Sequence, residues 1–199
     1  MIDIIESVPG LKYQESFLTP EQVRLTLNWI NEQKWEDTKG KGVCQGCSTS
    51  RIVQQYGYKY NYLKRKVDYK DYLGPIPFTL DYLRLCMPLK EDGSQYKFDQ
   101  VIINQYEPGQ GIGAHIDCMP CFSDTIATIS LYEDSYDEQY WMYSHGALTF
   151  TRKGQREDIK LPQGSLLIMT SEARTKWKHS YKNTSSIVRT SITFRKVTL

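Results

Sequence analysis

The sequence predicts an α+β domain in which a short helical unit precedes a run of antiparallel strands closed on themselves. Three observations carry that expectation. Thr19-Pro20-Glu21-Gln22 reads as a helix start, the chain from residue 98 onward is a series of short apolar segments, and Pro162-Gln163-Gly164 marks a tight turn between two of them. A length of 199 residues suits one domain, large enough to bury a core without metal or disulfide staples. Within it, 1–97 reads as helical support plus a covering segment and 98–199 as the strand-built core.

In order along the chain, Thr19 caps the first helix, Pro20 lies in its first turn and Gln22 completes a capping box. Val23, Leu27 and Ile30 then repeat at helical spacing, an apolar stripe that backs onto a sheet. Lys39-Gly40-Lys41-Gly42 is a loop. Between Arg51 and Tyr72, tyrosines 56, 58, 60, 62, 69 and 72 mix with Arg51, Lys59, Lys64, Arg65, Lys66 and Lys70. Strand alternation puts Tyr56, Tyr58, Tyr60 and Tyr62 on one face. That face is either a sheet edge with a solvated basic turn or a stacking platform for unpaired bases, with Lys64-Arg65-Lys66 meeting phosphates. Gly74-Pro75-Ile76-Pro77 is a rigid connector to a second helix over 78–87, with Leu80, Leu83 and Met87 on its core face and Pro88 as its stop. Strands are predicted over 98–106, 125–132, 147–152, 158–161, 165–170 and 187–197. The acidic, aromatic stretch 133–146 reads as a long hairpin lying away from any phosphate path.

With 25 basic and 23 acidic side chains the net charge is +2, so a nucleic-acid partner would have to be held by a local patch. No apolar run approaches the ~20 residues of a membrane span. Met1-Ile2-Asp3-Ile4-Ile5-Glu6 lacks the basic start and apolar core of a signal peptide. The expectation is a cytoplasmic or nuclear monomer, not secreted and without a membrane partner. Of the cysteines, Cys44 and Cys47, and Cys118 and Cys121, form two Cys-x-x-Cys pairs. Together they offer a tetrahedral zinc set if the fold brings them close; otherwise they are separate, reduced and inert.

The central stretch is Asn104-Gln105-Tyr106-Glu107-Pro108-Gly109-Gln110-Gly111-Ile112-Gly113-Ala114-His115-Ile116-Asp117. On an extended strand His115 and Asp117 face the same side and could grip one metal ion. A further histidine, His179, would complete two imidazoles and one carboxylate, the facial triad of non-haem Fe(II) oxygenases. Arg189, Ser191, Thr193 and Arg195 alternate on one face of the last strand, a cradle for a dicarboxylate because arginine binds carboxylates bidentately.

Asn104-x-Tyr106, His115-x-Asp117, His179 and Arg189-x5-Arg195, in this order and spacing, resemble the AlkB branch of the Fe(II)/2-oxoglutarate dioxygenases. The resemblance runs from about residue 101 to 197, and more loosely back to Arg51. It implies a double-stranded β-helix, or jelly roll, with Fe(II) on His115, Asp117 and His179 as the catalytic set and dioxygen as co-reactant. It places the distal carboxylate of 2-oxoglutarate on Arg189 and Tyr106, and the end near the metal on Arg195 and Asn104, with Ser191 and Thr193 beside them. Ser191 stands where some relatives carry asparagine. Arg51-Ile52-Val53-Gln54-Gln55-Tyr56-Gly57-Tyr58 is similar to the family's nucleotide-recognition lid, which implies Arg51, Tyr56 and Tyr58 as substrate contacts.

The implied activity is oxidation of alkylated bases in DNA or RNA, most simply demethylation. Gln105-Tyr106-x-Pro-Gly-Gln-Gly-Ile and Arg-Thr-Ser-Ile-Thr-Phe-Arg-Lys-Val look closest to the branch that hydroxylates modified wobble uridines of tRNA, which is the alternative. A third possibility, of another class, is a silent module that only binds a modified base. The complete triad and both arginines oppose it.

Overall fold

The computed structural model describes residues 2–38, 51–133 and 146–198. Its strands are β1 (Asp3–Ile5), β2 (Leu11–Gln14), β3 (Glu36–Asp37), β4 (Ile52–Tyr56), β5 (Gln100–Tyr106), β6 (Gly111–His115), β7 (Phe122–Tyr132), β8 (Ala147–Arg152), β9 (Gln155–Lys160), β10 (Leu166–Met169), β11 (Lys178–Lys182) and β12 (Arg189–Val197). The helices are α1 (Pro20–Asn31), α2 (Phe78–Leu85) and α3 (Ser171–Thr175). An eight-stranded antiparallel sheet runs β1-β2-β10-β7-β12-β5-β4-β3, and a four-stranded one runs β6-β11-β8-β9. The two sheets share an apolar core, to which Tyr106, Ile126 and Leu167 come from the large sheet and Leu148, Phe150 and Tyr181 from the small one. This is the jelly roll that the sequence implied.

Alternation on β12 decides what each face of the large sheet does. Ile192 and Phe194 point to one side, where they meet Val23, Leu27 and Ile30 of α1 and Leu80 and Leu83 of α2. Arg189, Ser191, Thr193 and Arg195 point to the other, toward the small sheet, and all four are buried. The helices therefore support the sheet from behind, and truncating a buried anchor such as Ile30 to alanine should cost ~2–5 kcal/mol.

Local chemistry fixes the helix start as expected. Gln22 N–H donates to Thr19 Oγ1 at 3.3 Å while Thr19 N–H donates to Gln22 Oε1 at 2.9 Å. The Pro162 turn closes with Ser165 N–H donating to the Pro162 carbonyl at 3.2 Å, and Gly164 supplies the positive φ of 72°.

Several elements differ from the sequence reading. The N-terminal part is more than helical support, because β1, β2, β3 and β4 extend the large sheet at both edges. Strands β1, β2, β3 and β11 and the short α3 carried no strong periodic signal, and pairing with neighbouring strands holds the four strands in place. The run of tyrosines does not continue as one strand. Strand β4 stops at Tyr56 because Gly57 takes a φ of 75°, with the Asp99 carbonyl oxygen only 1.8 Å from where a Cβ would sit. The 39–42 loop and most of the 133–146 insertion lie outside the described residues. Among the described residues, no helix is long and apolar enough to cross a membrane.

Candidate active site

The histidine pair is a product of strand register. Strand β6 pairs antiparallel with β11 so that His115 and His179 are direct partners, with imidazole centroids 4.4 Å apart. Asp117 lies two residues past His115, beyond the end of β6, so strand alternation alone does not aim it. It is nonetheless brought in: His115 Nε2 lies 3.5 Å from Asp117 Oδ1, and one ligand atom from each of the three residues falls within 4.8 Å of the others.

The protonation chemistry suits a cation. His115 Nδ1 is 2.8 Å from the Gly113 carbonyl, which can only accept. Nδ1 must therefore carry a proton, and Nε2 is the ring nitrogen that faces the cluster. Burial pushes His179 down to about 3, helped by the neighbouring His115 and opposed by Asp117, so that this imidazole is neutral at ordinary pH. Burial alone would raise the Asp117 carboxyl. The Arg195 guanidinium outweighs it and holds the group well below its ordinary value of 3.8. Arg195 reaches Asp117 Oδ2 with both Nε and Nη2 at 3.1 Å, leaving Oδ1 on the His115 side. A neutral His179, a second imidazole whose Nε2 faces it and a fixed carboxylate make a donor set suited to a divalent first-row metal, so the residues fit iron.

These groups line a cavity of about 440 Å³ between the sheets, together with Asn104, Tyr106, Arg189, Ser191 and Thr193. Arg189 is 2% exposed, and its guanidinium lies 4.1 Å from the Tyr181 ring centroid and 5.7 Å from that of Tyr106. Its Nη2 donates to Ser130 Oγ at 2.8 Å, while its Nε is buried without a hydrogen-bond partner. A buried cation with an unused donor at a cavity wall is built to receive an anion, which is what a dicarboxylate cosubstrate would supply. Register explains the constellation: Arg189 stands opposite Tyr106, and Ser191 opposite Asn104, across β12 and β5. Asn104 Oδ1 accepts from Arg51 Nε at 2.8 Å, and Arg195 reaches Asp117.

On the covering segment, Arg51 lines the cavity as expected, but Tyr56 and Tyr58 do not. Tyr56 packs against Trp29 on the helix side, its ring centroid 5.7 Å away, and its hydroxyl donates to Gln54. Tyr58 packs on Tyr72. The bend at Gly57 ends the alternation and brings Tyr60, Tyr62 and Arg65 to the cavity in their place. These three stood in the same tyrosine-rich, basic run, but only the position of the bend could have selected them. The zinc expectation is also corrected, because Cys118 and Cys121 are joined in a disulfide and so offer no thiolates. Cys44 and Cys47 lie outside the described residues. Sequence reasoning missed Tyr181 and Arg174, which had no motif to mark them.

Comparison with known proteins adds the following. The family model described as "2OG-Fe(II) oxygenase superfamily" matches residues 10–195. A Xenopus tropicalis protein named tRNA (carboxymethyluridine(34)-5-O)-methyltransferase alkbh8 is 35% identical over 176 residues, covering 86% of this chain and 25% of that protein. An Arabidopsis thaliana protein named Alkylated DNA repair protein ALKBH8 homolog is 29% identical over 191 residues, covering 90% of this chain and 52% of that one. The chain thus spans a quarter to about half of the length of these relatives. The solved structure of OsALKBH1 superposes with a TM-score of 0.64 over 98% of this chain and 100% of that one at 14% identity, a likeness of fold.

Proposed function

From the premise that this chain belongs to the 2OG-Fe(II) oxygenase superfamily, we propose that it oxidises an alkylated or otherwise modified base in nucleic acid. His115, Asp117 and His179 hold the iron and Arg189 anchors 2-oxoglutarate. When bound, Fe(II) with 2-oxoglutarate and dioxygen supplies oxidative chemistry in which the cosubstrate becomes succinate and an oxygen atom enters a substrate C–H bond. The observation that carries the reading is the converging His–Asp–His set, with His179 kept neutral, beside a buried guanidinium with a spare donor.

Each residue has work that its surroundings support. Arg189 takes the distal carboxylate, flanked by Tyr106 and Tyr181. Arg195 keeps Asp117 ionised and turned toward the imidazoles. Arg51 orients the Asn104 amide at the cavity wall. Tyr60, Tyr62 and Arg65 flank the cavity where a base would stack. No protein general base is required: an N-methyl group, once hydroxylated, releases formaldehyde unaided.

Demethylation of DNA or RNA is the first reading, in keeping with the name of the Arabidopsis relative. Hydroxylation of a modified wobble uridine is the second, favoured by the 35% identity to a protein named for chemistry at uridine 34 of tRNA. Incubation with Fe(II), 2-oxoglutarate and methylated DNA, methylated RNA or tRNA, followed by nucleoside mass analysis, separates them. Formaldehyde and the unmethylated base mark the first, and a uridine heavier by one oxygen marks the second. Absence of succinate with every substrate would refute both.

A further inference from the structure

Asp117 is followed by a loop, 117–123, that wraps around a single guanidinium lying behind the cavity wall. Arg174, on α3, is 3% exposed. Its Nη1 donates to the Asp117 carbonyl at 3.0 Å and to Met119 Sδ at 3.3 Å. Its Nη2 donates to the carbonyls of Cys118 at 3.1 Å and Phe122 at 3.4 Å, and its Nε to that of Ser123 at 3.3 Å. We infer that Arg174 is a positioning residue for the metal site, gathering the carbonyls of this loop so that the Asp117 side chain projects toward His115 and His179.

Three features support this role. First, the contacts are carbonyl oxygens and a thioether, so the guanidinium here organises backbone. Burying a cation among neutral acceptors is tolerable only where several converge on it. Second, Asp117 lies past the end of β6, so no sheet pairing fixes its backbone. The carbonyl of Asp117 faces Arg174 while its side chain lines the cavity, so gripping the one aims the other. Third, the platform is itself fixed: Ala173 N–H donates to the Pro9 carbonyl, and Thr170 N–H to that of Gly10, both at 2.8 Å. The Cys118–Cys121 disulfide is a second tie within the same loop. Lysine could not substitute fully, because a compact ammonium lacks the planar fork that reaches four carbonyls at once.

The inference rests on the reading of Asp117 as a metal ligand, and its test keeps the two apart. Metal-free wild type, Arg174→Gln and Arg174→Lys are titrated with Co(II) and followed by visible absorption, below the melting temperature of each. Hydrogen exchange of residues 117–123 is measured alongside. Arg174→Gln should bind Co(II) ~10–100-fold more weakly with altered ligand-field bands, as for loss of a group that orients a ligand. Arg174→Lys should fall between, and loop exchange should quicken in both. A wild type that binds no Co(II) would overturn the metal reading itself. Wild-type binding matched within about twofold by Arg174→Gln, or by Arg174→Lys should the glutamine variant not fold, would overturn the role of Arg174 alone.

Discussion

Replacing Arg189 by methionine tests the cosubstrate anchor most sharply, because the expected changes in stability and in binding diverge. In the ligand-free protein the guanidinium is buried with an unused Nε, a condition that costs ~1–3 kcal/mol. Against this stands its contact with the Tyr181 ring at 4.1 Å, worth up to about 2 kcal/mol when desolvated. Its hydrogen bond to Ser130 Oγ at 2.8 Å adds ~1.5–3 kcal/mol, so the free variant should lose about 2 kcal/mol net and melt ~4–8 °C below wild type. Ligand binding should behave differently. Removing one partner of a buried ion pair costs ~3–5 kcal/mol, roughly 10²- to 10⁴-fold in 2-oxoglutarate affinity. The assay is thermal melting in Mn(II) with and without 2-oxoglutarate at about 100 times the wild-type Kd. Wild type should gain about 2.7 kcal/mol, or ~5–10 °C, and Arg189→Met almost nothing. An equal ligand-induced rise in the variant would refute the anchor. Collapse of the free variant would refute the reasoning that this arginine awaits an anion.

Other expectations follow from the same geometry. His179→Ala should abolish 2-oxoglutarate turnover and leave the circular dichroism spectrum unchanged; turnover that persists would remove His179 from the metal site. Stability of the metal-free protein should fall on acidification. The folded value of His179, about 3, lies below its ordinary 6.5, so in that window the unfolded chain binds the extra proton. Asp117, also depressed, adds a further loss as pH drops below 3.8. Urea titrations should show a slope of up to about 1.4 kcal/mol per pH unit between pH 6.5 and 3 that His179→Gln flattens, and an equal slope in that variant would contradict the assignment. Tyr60→Ala should weaken nucleic-acid binding by ~1–3 kcal/mol if a base stacks there. Tyr56→Ala should instead lower stability through lost packing on Trp29. Fluorescence titration and melting distinguish the two, and a reversed pattern would return the lid to the face containing Tyr56.

The parts of the molecule legible in the sequence were those governed by short-range rules. The Thr19 capping box, the Val23–Leu27–Ile30 stripe and the alternation that sends Arg189, Ser191, Thr193 and Arg195 to one face all depend on neighbours within a few residues. Tyr56 faces the helices because on β4 it has the opposite parity to Arg51, and Tyr58 is turned away because the alternation ends at Gly57. That glycine's bend answers to the distant Asp99 carbonyl, which no local pattern reveals. Arg174 was invisible for a similar reason: its acceptors are main-chain atoms some fifty residues away, and a carbonyl leaves no trace in side-chain chemistry. Arg195 was placed on the correct face, but its ion pair with Asp117 was not foreseen, since the two meet only in three dimensions.

Among the described residues, strand β6 is the outermost member of the small sheet and pairs with β11 alone. Two of its five residues, Gly111 and Gly113, have no side chain with which to grip a neighbour. An ion held jointly by His115 and His179 would rivet this rim strand to the one inside it. Chelation would therefore fray the margin of the barrel as well as silence its chemistry, and the protein's resistance to proteolysis near Gly111 would report whether it is loaded.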